Sequence, residues 1–148
     1  MGKVLIEVIE FLKKFKEYQE HSNQDLKQHL QPSFTLNQYK IFKDKEIIGF
    51  INWAFLNDIQ KTKFINHAII DQTNWNCGNN LCVANFVCSQ NIKDMVNWCK
   101  DFARNLKYDK EIVWVKAFRN NKIIRVNKQC RDNQTNSKRG TKGCILVY

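Results

Sequence analysis

The sequence predicts a single α/β (α+β) domain with a mixed central sheet flanked by helices. Three observations point there. Two long stretches, one before the hairpin and one after the central apolar run, repeat apolar residues at helical spacing. Between them lies a hairpin pattern of β-branched and aromatic residues around a tight polar turn. A nearly unbroken apolar run at residues 81–88 then reads as a central strand covered on both faces. The chain has 148 residues, enough for one domain and too few for two ordinary ones.

Val4, Leu5, Val8, Ile9, Leu12 and Phe15 recur at steps of three and four, which predicts an amphipathic helix over residues 3–18. Residues 25–30 add a short helical stretch. Pro32 is expected to end it, because the residue before a proline avoids the α region. Residues 37–42 and 46–56 read as strands joined by the turn Lys43-Asp44-Lys45. Ile59, Phe64, Ile65 and Ala68 give residues 57–70 helical spacing, and a polar loop with Trp75 and Gly78 follows. Within the run 81–88 only Asn85 is polar, and it needs hydrogen-bond partners if buried. Met95, Val96, Cys99, Phe102, Ala103 and Leu106 line one face of a helix over residues 91–106. Strands are expected at 112–118 and 122–128. The domain is therefore assigned to residues 1–130, and residues 131–148 to a polar, basic and mobile tail.

Composition narrows the function classes. Hydrophobic residues make up 43%, so a packed core is expected rather than disorder. No apolar stretch approaches the ~18 residues of a membrane span, and Glu7, Glu10, Lys13 and Lys14 interrupt the pattern of a signal peptide. A cytoplasmic location is the expectation. The six cysteines, Cys77, Cys82, Cys88, Cys99, Cys130 and Cys144, form no CxxC pair, and the three histidines are scattered. They read as free thiols used as small core residues, with no metal site. A net charge of +10 favours an anionic partner: nucleic acid, a membrane surface or an acidic protein. A basic nucleic-acid-binding domain is one such reading, although no RNP-like, zinc-finger or helix-turn-helix pattern accompanies the charge.

Four blocks then carry a family resemblance. Pro32 precedes Asn37-Gln38-Tyr39-Lys40-Ile41-Phe42; next comes Gly49-Phe50-Ile51-Asn52-Trp53-Ala54-Phe55-Leu56; then Trp75-Asn76-Cys77-Gly78 leads into Leu81–Val87; and Ala117-Phe118-Arg119 follows late. In order and spacing these resemble the toxin-activating lysine acyltransferases, which fatty-acylate internal lysines of RTX-type protoxins. The likeness covers roughly residues 21–125. It implies a fold related to the GCN5-type N-acyltransferases, an acyl-acyl carrier protein as donor, a protein lysine as acceptor and a possible homodimer.

The resemblance also implies catalytic residues. The family's histidine upstream of the proline corresponds most nearly to His21, with His29 as the competing choice, and Tyr18 stands near the place of a family serine. The family's aspartate in the central strand falls on Asn85. An acceptor lysine, with a pKa of about 10.4, must lose a proton before it attacks a thioester. A histidine is a fitting base, and a neighbouring carboxylate would orient it. An amide orients a ring without supplying charge, so Asn85 implies a slower enzyme, a different mechanism or a protein-binding relative without catalysis. Asp71 is a possible compensating carboxylate.

The turn Cys88-Ser89-Gln90-Asn91 lacks the glycines that cradle the pyrophosphate of coenzyme A, which favours a carrier protein as donor. Lys93, Lys100, Arg104 and Arg119 are candidate contacts for its acidic surface. Tyr39, Trp53, Trp75 and Trp114 are either core or the lining of an acyl groove.

Overall fold

The structure, a computed structural model, describes residues 2–106, 111–117 and 123–130. Its elements run α1 (Gly2–Leu12), α2 (Lys16–Gln19), α3 (Asn23–Thr35), β1 (Tyr39–Lys43), β2 (Ile47–Leu56), α4 (Asp58–His67), β3 (Asn80–Cys88), α5 (Ile92–Arg104), β4 (Glu111–Ala117) and β5 (Ile123–Cys130). The strands form one mixed sheet in the order β1-β2-β3-β4-β5, parallel between β3 and β4 and antiparallel at the other pairs. The expected α+β class with a central sheet and flanking helices is what the chain adopts. From β1 to β5 the strands and helices lie within a few residues of the positions expected from the sequence. Residues 131–148, read as a basic tail, lie outside the described residues. No described helix is long and apolar enough to cross a membrane.

Helices cover both sides of the sheet. On one side, Leu5, Val8, Ile9 and Leu12 of α1 and Leu26, Leu30 and Phe34 of α3 pack on Phe50 and Val87. On the other, Met95, Cys99 and Ala103 of α5 pack on Ile51, Trp53, Leu81, Val83, Phe86 and Ile112. A third cluster joins Phe64 of α4 and Trp75 to Ala54, Leu56, Cys82 and Val113.

Two expectations for the N-terminal region need correction. The helix predicted over residues 3–18 breaks: α1 ends at Leu12, and Phe15 is extended before α2 begins. Phe11 and Phe15 pack edge to face across the break, with ring centres 5.2 Å apart, and the Lys13 ammonium reaches the His21 carbonyl. Local aromatic and charge contacts thus replace the helical bonds that the apolar spacing alone predicts.

Pro32 does not end the next helix; it lies inside α3, which continues to Thr35. A proline leaves the carbonyl four residues earlier without its helical donor. Here that carbonyl belongs to Gln28, and it accepts a hydrogen bond from Gln72 Nε2 at 2.9 Å. A side chain from the loop after α4 therefore supplies what the proline removes. At the start of α3, Ser22 caps by accepting from the Asp25 amide at 3.0 Å.

The Trp75–Gly78 segment is fastened to the end of β2. Phe55 N donates to the Trp75 carbonyl, Gly78 N donates to the Phe55 carbonyl, and buried Gln38 donates to the carbonyls of Trp53 and Trp75. A Cβ at Gly78 would come within 2.4–2.5 Å of the Leu56 and Asn57 backbone. Glycine is required there because main chain meets main chain.

Candidate active site

A bulge in β3 creates the site. Asn52 of β2 pairs with Asn85, whereas the next residue, Trp53, pairs with Val83. Ala84 is the extra residue. Side chains alternate along a strand, so one inserted residue moves everything beyond it to the opposite face. Leu81 and Val83 therefore face α5, while Asn85 faces the α1–α3 side and Phe86 returns to the α5 side. Without the bulge, the Asn85 amide would point into the apolar packing beneath α5.

Helix geometry meets sheet geometry at this point. His29 and Ser33 are four residues apart on α3, so they share one helix face about 5–6 Å apart. Asn52 and Asn85 are directly opposite each other across two strands, at a similar spacing. The helix pair lies over the strand pair. Asn85 Nδ2 is 3.1 Å from His29 Nε2, and it donates to Asn52 Oδ1 at 2.9 Å. Asn52 Nδ2 donates to Ser33 Oγ at 3.0 Å, and Ser33 Oγ donates to the Leu30 carbonyl at 2.9 Å. Tyr18, carried inward by α2, donates its hydroxyl to Asn85 Oδ1 at 3.0 Å. Asn52, Ser33 and Asn85 are all buried, so each contact replaces one with water.

This network has a direction. A backbone carbonyl only accepts, so the Ser33 hydroxyl spends its proton on Leu30. Its oxygen then accepts from the Asn52 N–H, which turns Asn52 Oδ1 toward Asn85. The Asn85 N–H group faces Asn52 and His29, and its oxygen faces Tyr18. His29 must meet that N–H with a bare Nε2, leaving the ring proton on Nδ1.

Burial is the main cause that lowers the pKa of His29 from the ordinary 6.5, and the His21 charge acts in the same direction. His29 as a whole residue is nevertheless exposed, so water reaches it. Its bond to Asn85 would raise the value if the amide oxygen faced the ring. With the N–H facing it, the bond stabilises the neutral ring instead. His29 is thus neutral at pH 7. Trp75 stands edge-on to it, with ring centres 6.5 Å apart.

The sequence-named residues divide accordingly. The structure brings together Asn85, His29 and Tyr18. His21 is exposed at the turn before α3, where its backbone carbonyl binds Lys13 and its side chain makes no hydrogen bond to Asn85. Asp71 is engaged elsewhere, with both carboxylate oxygens 3.0 Å from Lys63 Nζ. Asn52 and Ser33 were not singled out by the sequence reading. The signal for Asn52 was the one Asn85 gave: a lone amide in an otherwise apolar strand.

Trp53 and Trp75 are core residues. Trp53 packs on Phe102 and Trp98, with ring centres 4.6 and 5.6 Å away, and the space left beside them is about 10 Å³. Tyr39 stacks on Phe34 at 4.1 Å. The Trp114 side chain and Arg119 lie outside the described residues, as do the side chain of Cys130 and all of Cys144. Cys77, Cys82, Cys88 and Cys99 are free thiols. Burial pushes the Cys82 and Cys99 thiols up to about 12, so neither is a thiolate nucleophile at neutral pH. Among the described residues, no cluster of three or more His, Cys, Asp or Glu is arranged to hold a metal ion.

The sheet opens beside this network. β3 and β4 pair only from Leu81–Ile112 to Val83–Trp114, although β3 runs on to Cys88 and β4 to Ala117. The strands part where the bulge begins. The model of the RTX toxin acyltransferase family matches residues 1–130. The chain belongs to that family. It is also 33% identical over 94 residues to an uncharacterized protein of Synechocystis sp. (strain ATCC 27184 / PCC 6803 / Kazusa). That match covers 56% of this chain and 64% of the relative, less than two thirds of the relative's length. The family assignment thus rests on the match to residues 1–130, a range that includes every member of the Tyr18–His29–Asn85 network.

Proposed function

We propose that this RTX toxin acyltransferase family member transfers an acyl group from acyl-acyl carrier protein to a lysine of a target protein, a protoxin in the family. The observation that carries this reading is the contact between Asn85 and His29 at the point where β3 and β4 separate. A GCN5-type fold is in keeping with a parallel pair that parts in the middle of an otherwise antiparallel sheet.

In the proposed reaction the lysine Nζ attacks the thioester carbonyl carbon. The C–N bond forms, the C–S bond breaks, and the carrier thiol leaves with a proton. His29 is the base that removes the excess proton from the attacking amine. Nε2 accepts from Asn85 in the resting network, so proton transfer falls to Nδ1, which can take the proton only once the ring proton has passed to Nε2. Asn85 orients the ring, and Tyr18 holds Asn85. The lowered pKa of His29 keeps it unprotonated at neutral pH, as a base requires.

The donor would approach the turn after β3, where Lys43, Asp44, Gln90, Asn91 and Asp94 line a cavity of about 370 Å³ at the start of α5. The net charge of +10 would steer an acidic carrier protein toward the chain.

A second reading has its own observation: the amide at position 85 supplies no negative charge to support a histidinium. In that reading the chain is a weakly active or inactive relative that binds a protein partner. In serine proteases a comparable Asp-to-Asn change lowers the rate about 10⁴-fold.

Mass spectrometry of a lysine-bearing acceptor, incubated with acyl-acyl carrier protein and this protein, separates the two. Transfer that is lost in His29→Ala and kept in His21→Ala supports the enzyme. Carrier binding without transfer supports the binding module.

A further inference from the structure

We propose that Ser33 and Asn52 are positioning residues that decide which nitrogen of the His29 ring carries its proton, by fixing the direction of the hydrogen-bond relay through Asn85. The proposal rests on the reading of His29 as the base, but its structural part is measurable without any transfer.

The relay Ser33–Asn52–Asn85–His29 has two self-consistent directions. In the one described, Ser33 donates to the Leu30 carbonyl and every amide N–H points along the chain toward His29. Nε2 is then an acceptor and Nδ1 holds the proton. A ring in this state has no lone pair to offer a lysine from Nδ1. In the reverse direction, Ser33 donates to Asn52 Oδ1, Asn52 Nδ2 donates to Asn85 Oδ1, and that same Asn85 oxygen accepts from Nε2–H. Asn85 Nδ2 then donates to the Tyr18 oxygen. Nδ1 is bare and competent as a base.

The two directions make the same bonds between side chains and differ in one: the reverse direction gives up the Ser33–Leu30 bond. The resting direction is therefore set by Ser33, two side chains away from the ring. Moving between them requires water in the cleft to take the proton from Nδ1 and return one to Nε2, with no net gain or loss. Among the described residues, the groups acting on His29 are Asn85, the His21 charge and, through Asn85, the Tyr18 hydroxyl, and no carboxylate acts on the ring to impose Nε2–H.

The test is the ring ¹⁵N–¹H correlation spectrum of protein labelled at histidine, taken above the lowered pKa of His29 and assigned with His29→Gln. The wild type is expected to show a bare Nε2 and a protonated Nδ1. Ser33→Ala removes the single bond that separates the directions, so the Nδ1–H form should fall from nearly all to about half. Asn85→Asp replaces the amide by a group that only accepts, and should move the proton fully to Nε2. Far-UV circular dichroism checks that each variant is folded, and Ser33→Ala alone decides the matter if Asn85→Asp does not fold.

A wild-type ring protonated at Nε2, or a ring unchanged by Ser33→Ala, overturns the proposal. The same proteins are assayed for acyl transfer. If the proton moves as expected but no variant transfers an acyl group, the relay stands and the acyltransferase reading falls. If transfer occurs and the proton stays on Nδ1 in Ser33→Ala, the relay falls and the enzyme stands.

Discussion

The two halves of β3 share a strand and differ in everything else. Leu81, Cys82 and Val83 are paired on both sides, to β2 and to β4, and all three are buried apolar side chains. From Ala84 onward the strand is paired, among the described residues, to β2 alone, its side chains have changed faces, and its one buried polar group meets a helix. The first half can hold structure only, because no edge is free and no side chain is reactive. The second half has a flank with no strand partner among the described residues, and a polar network. The bulge at Ala84 is the boundary between them.

The comparison fails if chemistry does not reside in the second half. His29→Ala should lower acyl transfer by about 10²–10⁴-fold, the usual contribution of a positioned acid or base. His21→Ala should change it only a few-fold at most, since that ring does not touch Asn85. Initial rates with saturating donor measure both. An equal loss in the two variants would mean that the polar half is not the reactive one.

Leu81→Ala probes the first half. Leu81 is 4% exposed and packs under α5. Its truncation should cost about 2–5 kcal/mol in unfolding free energy, through lost burial and the cavity left behind. The folded fraction should transfer at the wild-type rate. Urea unfolding followed by rate measurement in dilute buffer would expose any loss of activity beyond the loss of folded protein.

How much of this was legible beforehand depends on which interactions are local. Apolar periodicity located α5 and the strands because each buries a face whose spacing is written in its own residues, Met95, Cys99 and Ala103 among them. The bulge was not legible: in the run Leu81–Cys88 nearly every residue is apolar, so a parity change leaves no trace in the pattern. His21 stood before His29 because it lies nearest the place of the family's histidine upstream of the proline, and reading Pro32 as a helix end left Ser33 outside the helix. The bond that overrules Pro32 comes from Gln72, forty-four residues after Gln28.

The pH dependence of stability offers a smaller effect on the same half. His29 has a folded-state pKa below its unfolded value of about 6.5. As pH falls through 6.5, the unfolded chain takes up a proton at this ring while the folded chain does not. Stability is therefore fully present above about pH 6.5 and is lost progressively toward the lowered folded pKa. Thermal unfolding between pH 7.5 and 5.5 should show this slope, and His29→Gln should flatten it. A wild-type slope unchanged in the variant would mean that the ring is not held neutral by the fold.

The smallest expected effect concerns how the helix delivers His29 and Ser33 to the polar half. Both lie on α3 within four residues of Pro32, and their shared face depends on the helix continuing through the proline. Gln72→Ala leaves the Gln28 carbonyl to water, and because that carbonyl is near the surface the cost should be about 0.5–1.5 kcal/mol. In a Pro32→Ala background the helix supplies its own N–H to Gln28, so the same Gln72→Ala change should then cost close to nothing. The two costs, measured by urea unfolding in a double-mutant cycle, should differ by nearly the whole effect. Equal costs would mean that Gln72 stabilises the loop after α4 for its own sake, and that α3 holds its line through Pro32 by packing on Phe50 and Val87 alone.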